Sequence, residues 1–393
     1  MNKHKGFLLI GLLIIFVVIG LIIYLNKGTF AIYERSQPAV APTTRVASVT
    51  HIWQTVGEGL NGAVKALAFD SAGNLYAGGS FTTSGGIPAR RIAKWNGSSW
   101  SSLGGGMDGG VNALAFDSSG NLYAGGNFTN VGGTRVNGIA KWNGSSWSAL
   151  GSGLNGNVYA LAFDSAGNLY AGGSFTTAGG VIANRIAKWD GTSWSALGSG
   201  LAGPPFIGAE LAGFPSALAF DSAGNLYAGG SFTTSGGIPA RRIAKWNGSS
   251  WSALGGGMDG GVNALAFDSS GNLYAGVDLT TRGGASANPI AKWNGSSWSV
   301  LGWVVDGWVN ALAFDSSGNL YTGGSFTTTA AGAVIANRIA KWDGTSWSAL
   351  GSGLNGQVKA LAFDSSGNLY VGGAFTTAGG ITANHIAKYI ISR

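Results

Sequence analysis

The phrase ALAFDS occurs seven times, beginning at Ala66, Ala113, Ala160, Ala217, Ala264, Ala311 and Ala360. The steps between these starts are 47, 47, 57, 47, 47 and 49 residues. A module of this size copied at nearly constant length folds as an array, because one copy cannot bury its own apolar face and must stack on its neighbours. A second level of copying is visible: residues 66–125 and 217–276 differ only at Ser102 against Ala253, so units one to three were duplicated as units four to six. A surface residue that recurs between these copies was carried along by the duplication, and its recurrence is no evidence of function.

Each unit parses into four short strands. VKALAFD (64–70) is apolar on both faces and ends in the turn SAGN, whose Gly73 and Asn74 tolerate positive φ. LYAGGSFT (75–82) follows, then the loop TSGGIPAR (83–90). RIAKW (91–95) and SWSSLG (99–104) are joined through Asn96-Gly97, a strong hairpin signal. No helical periodicity interrupts the pattern after residue 51. Four strands per repeat at this period predict the blades of a β-propeller. The expected fold is all-β: a seven-bladed β-propeller of four-stranded blades over residues 51–393, preceded by one hydrophobic α-helix.

The ends of the repeat region complement each other. The last unit stops at HIAKYIISR, with Tyr389 where other units have Trp and with no hairpin or fourth strand after it. At the other end, HIWQTVG (51–57) is the tail of a unit without its front, and Ile52 to Gly57 aligns with Ser193 to Gly198. Residues 51–57 are therefore expected to supply the outer strand of blade seven, closing the ring and leaving no open sheet edge at the seam.

Charge limits the partners. Of the net +7, residues 1–50 contribute five Lys/Arg against one Glu, leaving 18 against 15 for the repeat region. A nearly neutral ring has no electrostatic footprint for nucleic acid, and none is expected as a partner. Residues 1–6 form a basic leader, and Phe7 to Leu25 is an uncharged apolar run. As a helix it is about 28 Å long, one hydrocarbon core. Lys3 and Lys5 before it favour an N-terminus inside the cell and the ring outside. Residues 26–50 turn polar and then Pro/Thr/Ala-rich, as a spacer does.

Two resemblances follow from these motifs. Gly78-Gly79 closing a strand, then Trp95 and Trp100 flanking a hairpin, resembles kelch-type blades. Unit five departs from that pattern with Gly276-Val277, and unit seven lacks the second Trp. The leader ending at Gly6, then Phe7 and an unbroken aliphatic run into YLNKGTFAIYERSQ, resembles the start of a bacterial type IV pilin. That resemblance implies leader cleavage between Gly6 and Phe7 and self-assembly through the Phe7–Leu25 helix, with the membrane as at least a transient partner. The chain departs from most such pilins at Gly11, where they carry a glutamate, and a plain signal-anchor accounts for the same leader.

The function expected is non-enzymatic: a cell-surface, extracellular propeller carried on a hydrophobic helix, as a pilin-like filament subunit or as a singly anchored adhesin or receptor for a glycan or protein. No nucleophile–base pair, acid pair or metal cluster stands out, and no cofactor or metal is expected. The absence of Cys excludes the kelch-like oxidases that use a copper-linked cysteine. The sequons at Asn96, Asn127, Asn143, Asn247 and Asn294 are candidate glycosylation sites, although Asp190 and Asp343 at the equivalent turn keep the turn and lose the sequon. The DSSGN turns are read as turn-stabilising and not as calcium sites, and the Lys of each IAKW is expected to lie along an aromatic face with its ammonium near a turn acid or at the surface. Departures from the repeat are the candidate ligand or partner loops: Phe206, Glu210 and Phe214 in the long crossing before unit four, Asp278 and Arg282 in unit five, and Trp303 and Trp308 in the next crossing.

Overall fold

The computed structural model describes residues 52–203, 213–278, 289–301, 305–329 and 334–391. The leader, the Phe7–Leu25 helix and the spacer lie outside the described residues, as do Gly6, Phe206, Glu210, Arg282 and Trp303. No helix among the described residues is long and apolar enough to cross a membrane.

Each repeat becomes a four-stranded antiparallel sheet. In the first, Val64–Phe69 pairs with Leu75–Gly79, which pairs with Ile92–Trp95, which pairs with Trp100–Ser102. Seven such sheets are present among the described residues. The last consists of Val358–Phe363, Leu369–Gly373, Ile386–Ile390 and Ile52–Thr55. Its outer strand comes from the other end of the repeat region, in the register Ile52↔Ile390, Trp53↔Tyr389, Gln54↔Lys388 and Thr55↔Ala387. Each inner strand lies against the next, and Val64–Phe69 also lies against Val358–Phe363, so the series returns on itself as an all-β propeller.

Three contacts repeat between neighbouring sheets. The Tyr of a second strand meets the Phe of the next inner strand edge-on, from Tyr76–Phe116 at 5.1 Å round to Phe69–Tyr370 at 5.1 Å across the seam. The first glycine of each pair makes room for the next sheet, since a Cβ on Gly78 would fall 2.5 Å from Val111 Cγ1. In every sheet but the sixth, where Trp347 Nε1 finds no partner among the described residues, the outer-strand Trp donates its indole N–H to a carbonyl just past the preceding sheet, as Trp100 does to Val56 O and Trp194 to Leu150 O, both at 2.9 Å. Trp53 makes the same bond to Leu350 O at 2.9 Å, so the closing strand is held like the covalently continuous ones.

The loop at residues 83–90 contains a two-stranded ribbon, Thr83–Ser84 with Ile87–Pro88, and the loop recurs in that form in other sheets. Pro88 is compatible because the ribbon is an edge element. In the long crossing before the fourth sheet, Leu201–Ala202 pairs with Thr234–Ser235, which extends that ribbon to three strands.

Candidate functional site

The antiparallel order gives the ring two unlike faces. On one lie the turns after the inner strands and the Asn-Gly or Asp-Gly hairpins (the turn face). On the other lie the ribbons and the crossings from one sheet to the next (the crossing face).

The turn face is chemically self-contained. Asp70 Oδ1 accepts from the backbone N–H groups of Ala72 and Asn74, and Oδ2 accepts from Asn74 Nδ2 and Tyr76 Oη. Lys94 Nζ stands 3.7 Å from the same carboxylate and 5.3 Å from the centroid of the Tyr76 ring. The lysine–tyrosine contact recurs in all seven sheets at 5.1–5.9 Å. Burial alone would raise the Asp70 and Asp117 carboxyls, but the donors from Asn74 and Asn121 and the adjacent lysines outweigh it and hold both below the ordinary range. Burial and the neighbouring carboxylates push the Tyr170 and Tyr227 phenols up to about 12. These acids are acceptors for their own turns.

The sequon hairpins lie on the same face. Asn96 is exposed, and its Oδ1 accepts from the N–H groups of Ser98 and Ser99 at 2.9 and 2.8 Å. Asp190 holds Thr192 and Ser193 in the same way. Asn143, Asn247 and Asn294 repeat the turn, and Gly97 takes φ +99° there. Asn127 sits apart from them, exposed at the end of a second strand on the crossing face.

The crossing face is where the sheets differ. Every inner strand carries a β-bulge near its start, shifting register between Val64 and Ala66 and at the six equivalent places. A bulge leaves one residue unpaired and re-aims its side chain. Here the bulged residues are Lys65, Asn112, Tyr159, Ser216, Asn263, Asn310 and Lys359, all half-buried on the strands that enclose the central passage. Each is followed by the invariant ALAFDS, so variation is concentrated on the residue that the bulge turns out of the ladder. These side chains reach the next inner strand: Lys65 Nζ donates to Asn112 Oδ1 at 3.1 Å, Asn112 Nδ2 to Val158 O at 3.0 Å, and Asn310 Nδ2 to Val358 O at 2.9 Å.

Three of the residues singled out from sequence belong to this mouth. Phe214 and Trp308 each stand two residues before a bulged residue. Trp308 is 49 % exposed, whereas Phe214, expected on an exposed crossing, is half-buried with its ring centroid 4.6 Å from that of Tyr159. The hydrophobic effect explains the difference, because a flat neighbour lets Phe214 leave water. Asp278 accepts from Gly261 N–H at the same end of the fifth sheet, filling space above a glycine. The bulged residues themselves were missed by sequence reasoning. The signal was their variation within an otherwise constant strand.

Farther from the axis, an Asn or Asp in the crossing clamps the ribbon. Asp108 Oδ1 accepts from the N–H groups of Thr129 and Asn130, and Oδ2 from Thr129 Oγ1 and Asn130 Nδ2. Burial alone would raise the Asp108 carboxyl, but the four donors from Thr129 and Asn130 together outweigh it and hold the group well below the ordinary range. Between the second and third sheets this face opens a cleft of about 500 Å³ of mixed polarity, lined by Asn127, Phe128, Arg135, Asn137, Leu154 and Asn155 among others. Arg91, Arg185, Arg242, Arg338 and His385 enter the third strands at φ 64–67°, and Arg91 Nη1 there donates to Met107 O. Burial lowers the His385 imidazole pKa. Among the described residues no three of His, Cys, Asp and Glu converge as a metal site.

Comparisons with known proteins agree on this architecture. Residues 98–204 match the profile of the Rax2 C-terminal β-propeller domain, and residues 365–389 match that of DUF5122, a β-propeller domain of unknown function. No curated protein matches the chain. Among solved structures, the extracellular domain of a hybrid two-component system described from B. thetaiotaomicron aligns at TM-score 0.54 and 13 % identity, over 87 % of this chain and 42 % of that one. The chain thus spans under half the length of that relative. Virginiamycin B lyase from Staphylococcus aureus, solved with quinupristin, aligns at 0.56 and 12 %, over 87 % and 99 % of the two chains. The GH74 enzyme of Niastella koreensis aligns at 0.53 and 17 %, over 84 % and 55 %. The likeness is one of fold. Enzymes and the extracellular domain of a two-component system share it, so the propeller alone selects no activity.

Proposed function

We propose that this chain is a non-enzymatic extracellular surface protein, a seven-bladed, kelch-like propeller carried on the hydrophobic Phe7–Leu25 segment, and that it serves as a pilin-like subunit of a surface filament. The observation that carries this reading is the seam. The strand completing the last sheet, Ile52–Thr55, directly follows the spacer, so the segment that carries the ring also closes it. An extracellular setting agrees with the extracellular domains that share the fold. A non-catalytic role agrees with turn acids already engaged by their own backbones. The test is mass spectrometry of the native N-terminus together with electron microscopy of sheared surface material. A chain beginning at Phe7 and present in filaments supports the reading; Met1 retained in membrane fractions without filaments refutes it.

A second reading, a singly anchored adhesin or receptor, is favoured by the varied mouth of the central passage. Substituting that mouth would leave the amount of surface protein unchanged and abolish attachment to its target.

A further inference from the structure

The bulged residues of the seventh and first sheets, neighbours across the seam, are both lysines. Lys65 and Lys359 have no carboxylate within ion-pair distance among the described residues. The third-strand lysines differ: each lies over a tyrosine ring, and five have an aspartate at 3.4–3.8 Å. Two lysines on adjacent inner strands of a half-buried wall lose hydration and, as like charges, repel each other. The Lys65 ammonium accordingly has its pKa lowered, first by burial and then by Lys359. Its one side-chain bond, to Asn112 Oδ1, is to a neutral acceptor. Such a pair is stabilised by any anion that enters between its members.

The neighbours of the pair narrow the kind of anion. On the sixth sheet stand Asn310 and the exposed Trp308. On the other side stand Asn112 and, one sheet farther, Tyr159 against Phe214. The one acid noted at this mouth, Asp278, is on the fifth sheet and is engaged by Gly261 N–H. Cations flanked by primary amides and flat aromatic faces match a carboxylated sugar: ammonium groups for the carboxylate, amides for hydroxyls, rings for the C–H faces. We propose that the mouth of the central passage, at the seam of the seventh and first sheets, binds an acidic sugar with Lys65 and Lys359 as the carboxylate-binding cations. This site belongs to the ring and holds whether the ring is displayed on a filament or singly.

The test is a ligand-observed NMR titration of the full-length chain, in a polyoxyethylene detergent that carries no sugar, with sodium glucuronate, glucose and acetate. Glucuronate is expected to bind about tenfold tighter than glucose, the size of one charge-assisted contact. Lys65→Gln and Lys359→Gln are each expected to remove about that factor while melting at or above the temperature of the parent, because each relieves a like-charge pair. Lys359→Gln is the cleaner variant, since no hydrogen bond of its side chain to a described residue is involved. Equal binding of glucose and glucuronate, or unchanged binding in Lys359→Gln, overturns the proposal. Acetate binding as tightly as glucuronate, with no effect of Trp308→Ala, leaves an anion site only and overturns the sugar assignment. The identity of the N-terminal residue bears on the filament reading and leaves this result untouched.

Discussion

The two faces of the ring were built from the same copied module, yet they have diverged unequally. On the turn face, Asp, Asn, Tyr and Lys repeat with nearly the same distances from sheet to sheet. On the crossing face, the bulged residue is Lys, Asn, Tyr or Ser, and the residue two before it ranges from Gly110 to Trp308. The turn acids cannot change without breaking the turn that holds them. A bulged side chain lies outside the ladder, so its replacement leaves the strand intact. In a copied molecule the freedom to vary is itself structural, and it marks where recognition can be added at little cost in stability.

Four measurements would break or sharpen that contrast. The largest effect is expected from Trp53→Ala, which removes the indole bond to Leu350 O and the 4.9 Å ring contact with Tyr389, and should cost about 3–5 kcal/mol in denaturant unfolding. A loss below about 1 kcal/mol would mean that the seam is not the keystone described here. Acid should come next. The carboxyls of Asp70, Asp117, Asp221 and Asp268 are held below the ordinary value of 3.8, so their contribution is complete above that value and is lost as pH falls through the lower folded values. The melting temperature should be flat from neutral pH to about pH 5 and fall steeply below about pH 4; a steady decline beginning at neutral pH would contradict the turn assignment.

Removing a single turn acid is a smaller perturbation. Asp117→Ala takes acceptors away from the N–H groups of Ser119 and Asn121 and should cost about 1–3 kcal/mol by chemical denaturation. The smallest effect belongs to the other face. Trp308→Ala changes the same residue type as Trp53→Ala, but its side chain is 49 % exposed and its loss should alter stability by no more than about 0.5 kcal/mol. Equal costs for the two tryptophans would erase the distinction between scaffold and mouth.

Much of the scaffold was legible because it rests on local chemistry. Asn96-Gly97 specifies a hairpin wherever it occurs, and the missing strand after Tyr389 is matched by an orphan strand at Ile52. The inner-strand bulge was not legible. VKALAF reads as a regular strand carrying one lysine, and only its pairing with Gly78-Gly79 leaves Lys65 over. The positive φ of Arg91 was hidden for a related reason: arginine has no preference for that region, and the tertiary hydrogen bonds of Gly79 N to Arg91 O and Arg91 N to Phe81 O impose it. Phe214, Asp278 and Trp308 were found because they break the repeat. Lys65 and Lys359 were missed because their adjacency depends on a closure joining residues nearly three hundred positions apart.

The short ladder between Ile52–Thr55 and Ile386–Ile390 has a mechanical consequence. Tension applied through residue 51 is delivered to the end of one four-residue strand and not to the middle of a blade. Pulled along its length the strand resists in shear, with its hydrogen bonds sharing the force; pulled sideways it unzips one bond at a time. The same ring is therefore a strong link in one direction of load and a weak one in another, and Trp53, seated beneath Leu350 and Tyr389, is the catch that sets the force at which it opens.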